Sequence, residues 1–554
     1  MKKILYNNSN AFAVIIVIIL LTISSLCYSQ VVLNAIDENV EKIIQKLELT
    51  NEISDNKPIN ESGYYYTDNS TAIPKDTIKN DTIKGKNKDE KLIKANDTAN
   101  TEGDKIKTYD STRFNMFGDL LTDDTVYNKK YPVWIPMAEV LGLHVFNGLA
   151  NRYILNFDFG RVGFNSWKHN LNTGWEWDFD RFGMNFIAHP YTGGLNFTSA
   201  RSNGYNFWES IPFAAGGSLL WEYLGENTLP SYNDIINTTI SGAFFGEILY
   251  RLGSNILDDR TSGSERFFRE LGAAALSPTR FFNRLIQGKL FKVTSDEVYQ
   301  KEPLNIELSG GMRKLNDGSQ FWTGTQNAIV NVQLDYGYPQ EKRHWKPYDF
   351  FTVRGALNIG VGRKIVENVT GYGVIFGKNI QSGKLEMLMG IFQHFDYFDN
   401  KTFELGSIGI GGGIMSKYPL PLSKDSYIFT NIHLGIVPLA GNSSRFGPDT
   451  SQVRDYNYGG GMVGKFDSGV NLGWGSVQLI SYFYWISTYV GLAGNNYIGI
   501  IKPRITVRLI GNLNIGFEHL IYYNDRYTRD IGSYHSVRTE QRIYLMVNLG
   551  NFKL

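Results

Sequence analysis

The chain has 554 residues, 42% of them hydrophobic and 14% aromatic, with 57 Gly and a single Cys. So much apolar and aromatic content excludes disorder throughout. The balance of 55 Lys+Arg against 54 Asp+Glu, a formal net charge of +1, excludes a general nucleic-acid binder, whose phosphate contacts need a basic excess.

The first thirty residues fix the expected compartment. Lys2 and Lys3 precede an uninterrupted apolar run from Ala11 to Leu21, followed by small residues around Cys27-Tyr28-Ser29-Gln30. This is the form of a secretory signal peptide, with cleavage expected after Ser29. Leu26 stands where a lipoprotein signal needs a small residue, and the apolar run is short for a spanning helix. Removal of residues 1–29 takes away Lys2, Lys3 and the only Cys, leaving a formal charge of −1 and no disulfide or thiolate chemistry. From 30 to about 130 a polar linker is expected in the periplasm, since it is rich in Asn, Asp, Lys and Thr and repeats Asp-Thr-Ile-Lys at 76–79 and 81–84. It has too little apolar surface to offset chain entropy.

Residues 131–300 form a second block. Tyr153–Phe164 and Gly174–Ile187 read as aromatic strands, with His189-Pro190 in a turn and helices over about 212–226, 232–252, 265–276 and 278–286. Ser231-Tyr232-Asn233-Asp234 after Pro230 has the form of a capping box. Thr238, Gly242 and Gly246 then recur every four residues, a stripe that lets another backbone approach closely. The expected partner is the 212–226 helix, an arrangement that brings Glu222 or Glu226 near Arg201 or Arg251.

From 301 to 554 the period switches to two. Val330–Tyr338, Phe351–Val361, Leu385–Ile391, Ile428–Ile436, Val477–Trp485, Ile505–Leu509, Leu513–Phe517 and Ile543–Leu549 alternate apolar with polar or Gly residues. Short alternating segments between polar turns, with aromatics near their ends, mark strands that have one face in lipid and one toward a lumen. The expected fold is a mainly β outer-membrane barrel of about 12 strands, with residues 190–290 as a helical insert that plugs the lumen or caps its periplasmic mouth.

The block Trp175–Asp259 carries the unusual residues: Trp175-Glu176-Trp177-Asp178, Asn185 to Gly193 with His189-Pro190, Ala200-Arg201-Ser202-Asn203-Gly204, Trp221-Glu222 to Glu226, Pro230 to Asp234 and Gly246-Glu247. In this order they resemble the bacterial family catalogued as domain of unknown function 3943, over roughly Trp167–Arg284. The resemblance implies an exported, outer-membrane protein and supplies no substrate.

The candidate polar network is His189, Arg201, Glu222, Glu226, Asp234, Glu247 and Arg251, read first as structural ion pairs and caps. His189 with Glu222 and Glu226 offers one nitrogen and two oxygens, but in no established zinc spacing, so no metal and no cofactor are expected. Ser199, Ser202 or Ser210 with His189 is a conceivable hydrolytic arrangement, although no Gly-x-Ser-x-Gly elbow occurs. Gly409–Gly413 lacks the Lys-Ser/Thr of a phosphate loop and reads as a strand bend. The leading expectation is passage or binding of a small solute or lipid at the envelope. The alternatives are a barrel-embedded hydrolase using His189 and Glu222/Glu226, or a structural scaffold. Outer-membrane lipid and the barrel-insertion machinery are the expected partners, without nucleic acid.

Overall fold

The computed structural model describes residues 129–178, 180–316, 323–340, 345–359, 365–400, 402–443, 456–529 and 532–552. The expected signal peptide and nearly all of the expected linker lie outside them. Twelve antiparallel strands close into a barrel: β1 (Leu304–Asn316), β2 (Gly324–Tyr336), β3 (Phe351–Ile359), β4 (Val366–Ser382), β5 (Leu385–Asp399), β6 (Glu404–Pro419), β7 (Tyr427–Ser443), β8 (Tyr456–Asn471), β9 (Gly475–Val490), β10 (Gly494–Ile510), β11 (Leu513–Thr528) and β12 (Gly532–Phe552). Each strand pairs with its neighbour in sequence, and β1 pairs with β12 with Leu304 opposite Phe552. Closure removes every sheet edge, which a strand-built membrane protein requires.

Alternation sorts the strand residues. Ile432, Leu434 and Ile436 of β7 point outward and exposed, while His433 between them is buried. The same outward apolar row continues through Leu479 and Phe483 of β9, Ile505 and Val507 of β10, Phe517 of β11 and Ile543 and Leu545 of β12. That is the belt of a transmembrane barrel. Turns 383–384, 472–474 and 511–512 are short and lie at the end of the barrel that carries Leu304 and Phe552. We call it the terminal end and the opposite one the loop end.

The lumen is filled by the strands' own side chains. Arg354 of β3 reaches across to Asp467 of β8 (2.6 Å) and the Tyr482 hydroxyl of β9 (2.9 Å). Lys465 donates to Asp396 at 2.6 Å, Arg542 to Glu540 at 2.6 Å, and Arg504 pairs with Glu307. Toward the loop end an apolar cluster that includes Phe398, Phe403, Tyr484 and Tyr522 closes the remaining space.

The helices precede the barrel in the chain: α1 (Trp134–Tyr153), α2 (Phe164–Thr173), α3 (His189–Ser202), α4 (Phe207–Leu220), α5 (Tyr232–Ile256), α6 (Gly263–Leu276) and α7 (Pro278–Ile286). A π-helical turn, Met184–Ala188, leads into α3 and another, Trp221–Gly225, prolongs α4. The aromatic segments expected as strands at 153–164 and 174–187 therefore form helix ends, π-turn and coil, with one isolated bridge between Glu176 and Ser231. In the second segment aromatics pack between helices and barrel instead of pairing in a sheet, Phe182 lying on Tyr397 and Phe186, whereas Tyr153 and Phe164 of the first are exposed. His189-Pro190, expected in a turn, lies instead where the π-turn runs without a break into α3, Ala188 and His189 both being helical in backbone.

The helical insert expected from the sequence is present, but its place is the outer face of the barrel. In β5, Asp396 points inward to Lys465, whereas its outward neighbours Gln393 and Phe395 meet α5. Gln393 donates to the Ile240 carbonyl (2.8 Å), and the Phe395 ring lies against Phe244 and Phe245. The Phe186 ring sits over the outward faces of Gly406 and Gly441, where a Cβ would come within 2.3–2.4 Å of it. The cross-lumen ion pairs leave no room for helices inside. At 25 residues and about 1.5 Å per residue, α5 runs nearly the height of the wall. Asn233 stands at its loop-end start beside Tyr458's partner Asp178, and Asn255 bonds Glu302 at its terminal-end finish. The outer surface of α1 exposes Trp134, Met137, Leu141, Val145 and Leu149, spaced three or four apart as one apolar stripe. Among the described residues no helix is long and apolar enough to cross a membrane on its own.

Candidate functional site

Six of the seven network residues form two groups, one at the loop end of α5 and one toward its terminal end, and Glu226 joins neither. At the loop end stand His189, Glu222 and Asp234. His189 is the first residue of α3 after one π-turn, and Glu222 lies in the other. A π-turn adds a residue to the helical repeat and rotates the side chains around it, and such turns concentrate at functional sites. Of the capping box read from Ser231 and Asp234 only the N-cap half forms: the Ser231 hydroxyl accepts from the Asp234 N–H and donates to the Asp234 carboxylate, while the Ser231 N–H goes to Glu222 in place of Asp234.

One potential ligand atom from each of His189, Glu222 and Asp234 lies within 4.8 Å of the other two. His189 Nε2 is 3.7 Å from Asp234 Oδ1. Glu222 and Asp234 are buried, and Glu222 accepts the Ser231 N–H through Oε2 (2.8 Å). Its other oxygen, Oε1, is buried without a hydrogen-bond partner. Around this trio Asn233 donates to Asp234 Oδ1 and to Asp178 Oδ1, both at 2.8 Å. Asn185 (3.0 Å) and the Tyr458 hydroxyl of β8 (2.9 Å) also donate to that Asp178 oxygen. Asp178, Asn185 and Asn233 were not singled out by sequence reasoning as site residues. The signal for Asp178 and Asn233 was the dense run of polar residues next to aromatics at 175–180 and 231–234.

Glu226 is not one of the convergent trio; Asp234 takes the place that sequence reasoning gave it. The conceivable serine nucleophiles are not brought to His189. Ser199, Ser202 and Ser210 each donate to a carbonyl one turn back on their own helix, those of Leu195, Thr198 and Asn206.

At the terminal end Glu247 sits between two arginines. Arg201 reaches it through Nε (2.6 Å) and Nη2 (2.9 Å), and Arg251 through Nε (2.8 Å). Arg251 continues to Asp349 (3.0 Å) in the β2–β3 connection, clamping helix to barrel. The pairing of Glu247 with Arg251 one turn on, readable from their spacing, forms, whereas the expected approach of Glu222 or Glu226 to Arg201 or Arg251 is replaced by one of Arg201 to Glu247. The reason is the seam: the Thr238, Gly242, Gly246 stripe packs against α3, not the 212–226 segment. A Cβ on Gly242 would stand 2.6–2.7 Å from Gly193 backbone atoms, and one on Gly193 would stand 1.9 Å from the Thr238 carbonyl oxygen. Another cluster, unforeseen, holds α6 to α7: Arg284 bonds Glu270 (3.0 Å) and Asp259 (2.9 Å). The Arg266–Glu270 spacing of one turn was its readable sign.

A closed, inwardly charged strand ring with an apolar outer belt and a helical layer on one flank defines a transmembrane β-barrel of the outer-membrane type. Residues 174–279, which contain both polar groups, match the family model described as "Domain of unknown function (DUF3943)", the family that the ordered motifs resemble. No curated protein matches the sequence. Among solved structures the chain is similar to the NanC porin (12% identity, TM-score 0.25, covering 44% of this chain and 100% of that one). It is also similar to the outer membrane channel DcaP of Acinetobacter baumannii (7%, 0.21, 45% and 97%). A third is the TodX monoaromatic hydrocarbon channel deltaS2 mutant (9%, 0.19, 45% and 90%). The barrel assignment rests on the closed strand order and lends this chain no cargo from those proteins.

Proposed function

We propose that the protein binds a small polar or zwitterionic solute at the bacterial outer membrane and does not pass it through a standing pore. The observation that carries this is the shape of the lumen. At the terminal end a cavity of about 770 Å³ opens between the strands, with Arg354, Lys417, Arg504 and Arg508 facing Glu307, Asp335, Asp425 and Asp467. Equal numbers of both signs favour a ligand that is itself neutral or carries both charges. The Arg354–Asp467 and Arg504–Glu307 pairs floor this cavity, and the Phe398, Phe403 and Tyr522 cluster lies beyond them.

Planar-bilayer recording tests the reading. Wild type is expected to show no steady porin-like conductance, because the ion pairs and the Phe398, Phe403 and Tyr522 cluster beyond them fill the lumen. A steadily conducting wild type overturns it in favour of passage. A panel of amino acids, betaines and amino sugars should contain members that raise the thermal midpoint. If no member does so, the cavity does not bind this class.

A further inference from the structure

We propose that His189, Glu222 and Asp234 bind one divalent transition-metal ion of the zinc class at the loop end of the helical layer. This goes beyond the solute reading and shares no residue with the barrel mouth. Three protein donors, one imidazole nitrogen and two carboxylates, already converge to within 4.8 Å. That set suits zinc, which takes His and Asp/Glu ligands in a three-protein-ligand site and leaves a position open. An imidazole donor disfavours calcium and magnesium, which take oxygen ligands.

Convergence alone would describe any acidic cluster, but a second observation points to a missing ligand. Glu222 is fully buried, yet only Oε2 has a partner, and Oε1 ends without one. A buried carboxylate oxygen without a donor costs free energy that a cation at this point would recover. The surroundings behave as an outer shell. Ser231 holds Glu222 through its N–H and Asp234 through its hydroxyl, and Asn233 braces Asp234 and Asp178 together. Both π-turns aim ligands inward from otherwise ordinary helices. The His189 side chain keeps 12% of its surface exposed, which leaves the ion a way in.

The test uses the full mature chain, refolded in detergent, stripped with chelator and dialysed. Zn²⁺ titration should give one equivalent bound and a raised thermal midpoint. Co²⁺ should give visible absorption bands of a low-coordinate nitrogen–oxygen site, which competing Zn²⁺ removes. His189→Ala and Glu222→Gln should each weaken Zn²⁺ binding more than about 100-fold and abolish the Co²⁺ bands. Glu222→Gln retains an oxygen for the Ser231 N–H, so it is the variant expected to fold, and heat-modifiable migration verifies that it has. A folded wild type that binds neither ion at micromolar concentration overturns the proposal, as does equal binding by folded wild type and Glu222→Gln.

Discussion

Gly242→Ala adds a single methyl group, yet its effect should be large and opposite in sign to the usual helix substitution. In an unpacked helix, replacing Gly by Ala stabilises by about 1 kcal/mol. At Gly242 the new Cβ would stand 2.6 Å from the Gly193 carbonyl carbon and 2.7 Å from its Cα, atoms of a facing helix backbone that cannot rotate aside as a side chain can. Gly193 cannot retreat freely, because α3 is also pinned by the Arg201–Glu247 pair one end away. Overpacking of this kind costs about 1–3 kcal/mol, and a backbone neighbour puts it at the upper end. After the helical gain is subtracted, a net loss of about 2 kcal/mol remains, and Gly242→Leu should lose more. Gly216, exposed on α4 with nothing within 4 Å of its Cβ position, is the control, and Gly216→Ala should gain about 0.5–1 kcal/mol. Denaturant midpoints of the detergent-folded protein give both values. If Gly242→Ala matches or exceeds wild type while Gly216→Ala behaves as expected, the α3–α5 seam is not as close as described.

Three further outcomes follow from other parts of the fold. Leu141→Arg, in the middle of the exposed apolar stripe of α1, should cost about 2–4 kcal/mol and reduce recovery in the outer-membrane fraction if that helix shares the lipid belt with the barrel; wild-type recovery and stability would place the stripe in water. Glu247→Ala strands the buried guanidinium groups of Arg201 and Arg251 and should destabilise by about 3–5 kcal/mol in equilibrium unfolding, so a loss below 1 kcal/mol would show the pairs to be marginal. Asp258, in the α5–α6 connection, is pushed up by burial, but hydrogen bonding from Arg260 and the charge of Lys301 override this and hold it at about 2. Its folded pKa lies below the unfolded value of about 3.9, so its stabilisation is complete above about pH 4 and fades as pH falls toward 2. Asp258→Asn should flatten that limb of the stability–pH curve, and superimposable curves for the two proteins would refute the assignment.

The sequence by itself determined the barrel where both faces of a strand meet different solvents. β2, β3, the first half of β5, and β7, β9, β10, β11 and β12 were legible because an apolar face outside and a polar one inside impose period two residue by residue. The alternation fades in β4, β6 and β8 because helices cover part of their outer faces, replacing exposed apolar residues with Gly371, Gly406, Tyr456 and Tyr458. The helix starts at Ser231 and Pro278 were equally local, being set by caps and a fixed proline φ. What tertiary structure alone decided is the partner of each surface. The Gly242 stripe announced a close approach but not that α3 makes it, and the Glu247–Arg251 spacing announced a pair but not that Arg201 completes it. Whether the helices fill the lumen or flank it turned on Arg354 meeting Asp467, residues 113 positions apart on opposite sides of the ring. Periodicity reports only a residue's immediate solvent, and such contacts depend on ring closure, which no local window of sequence contains.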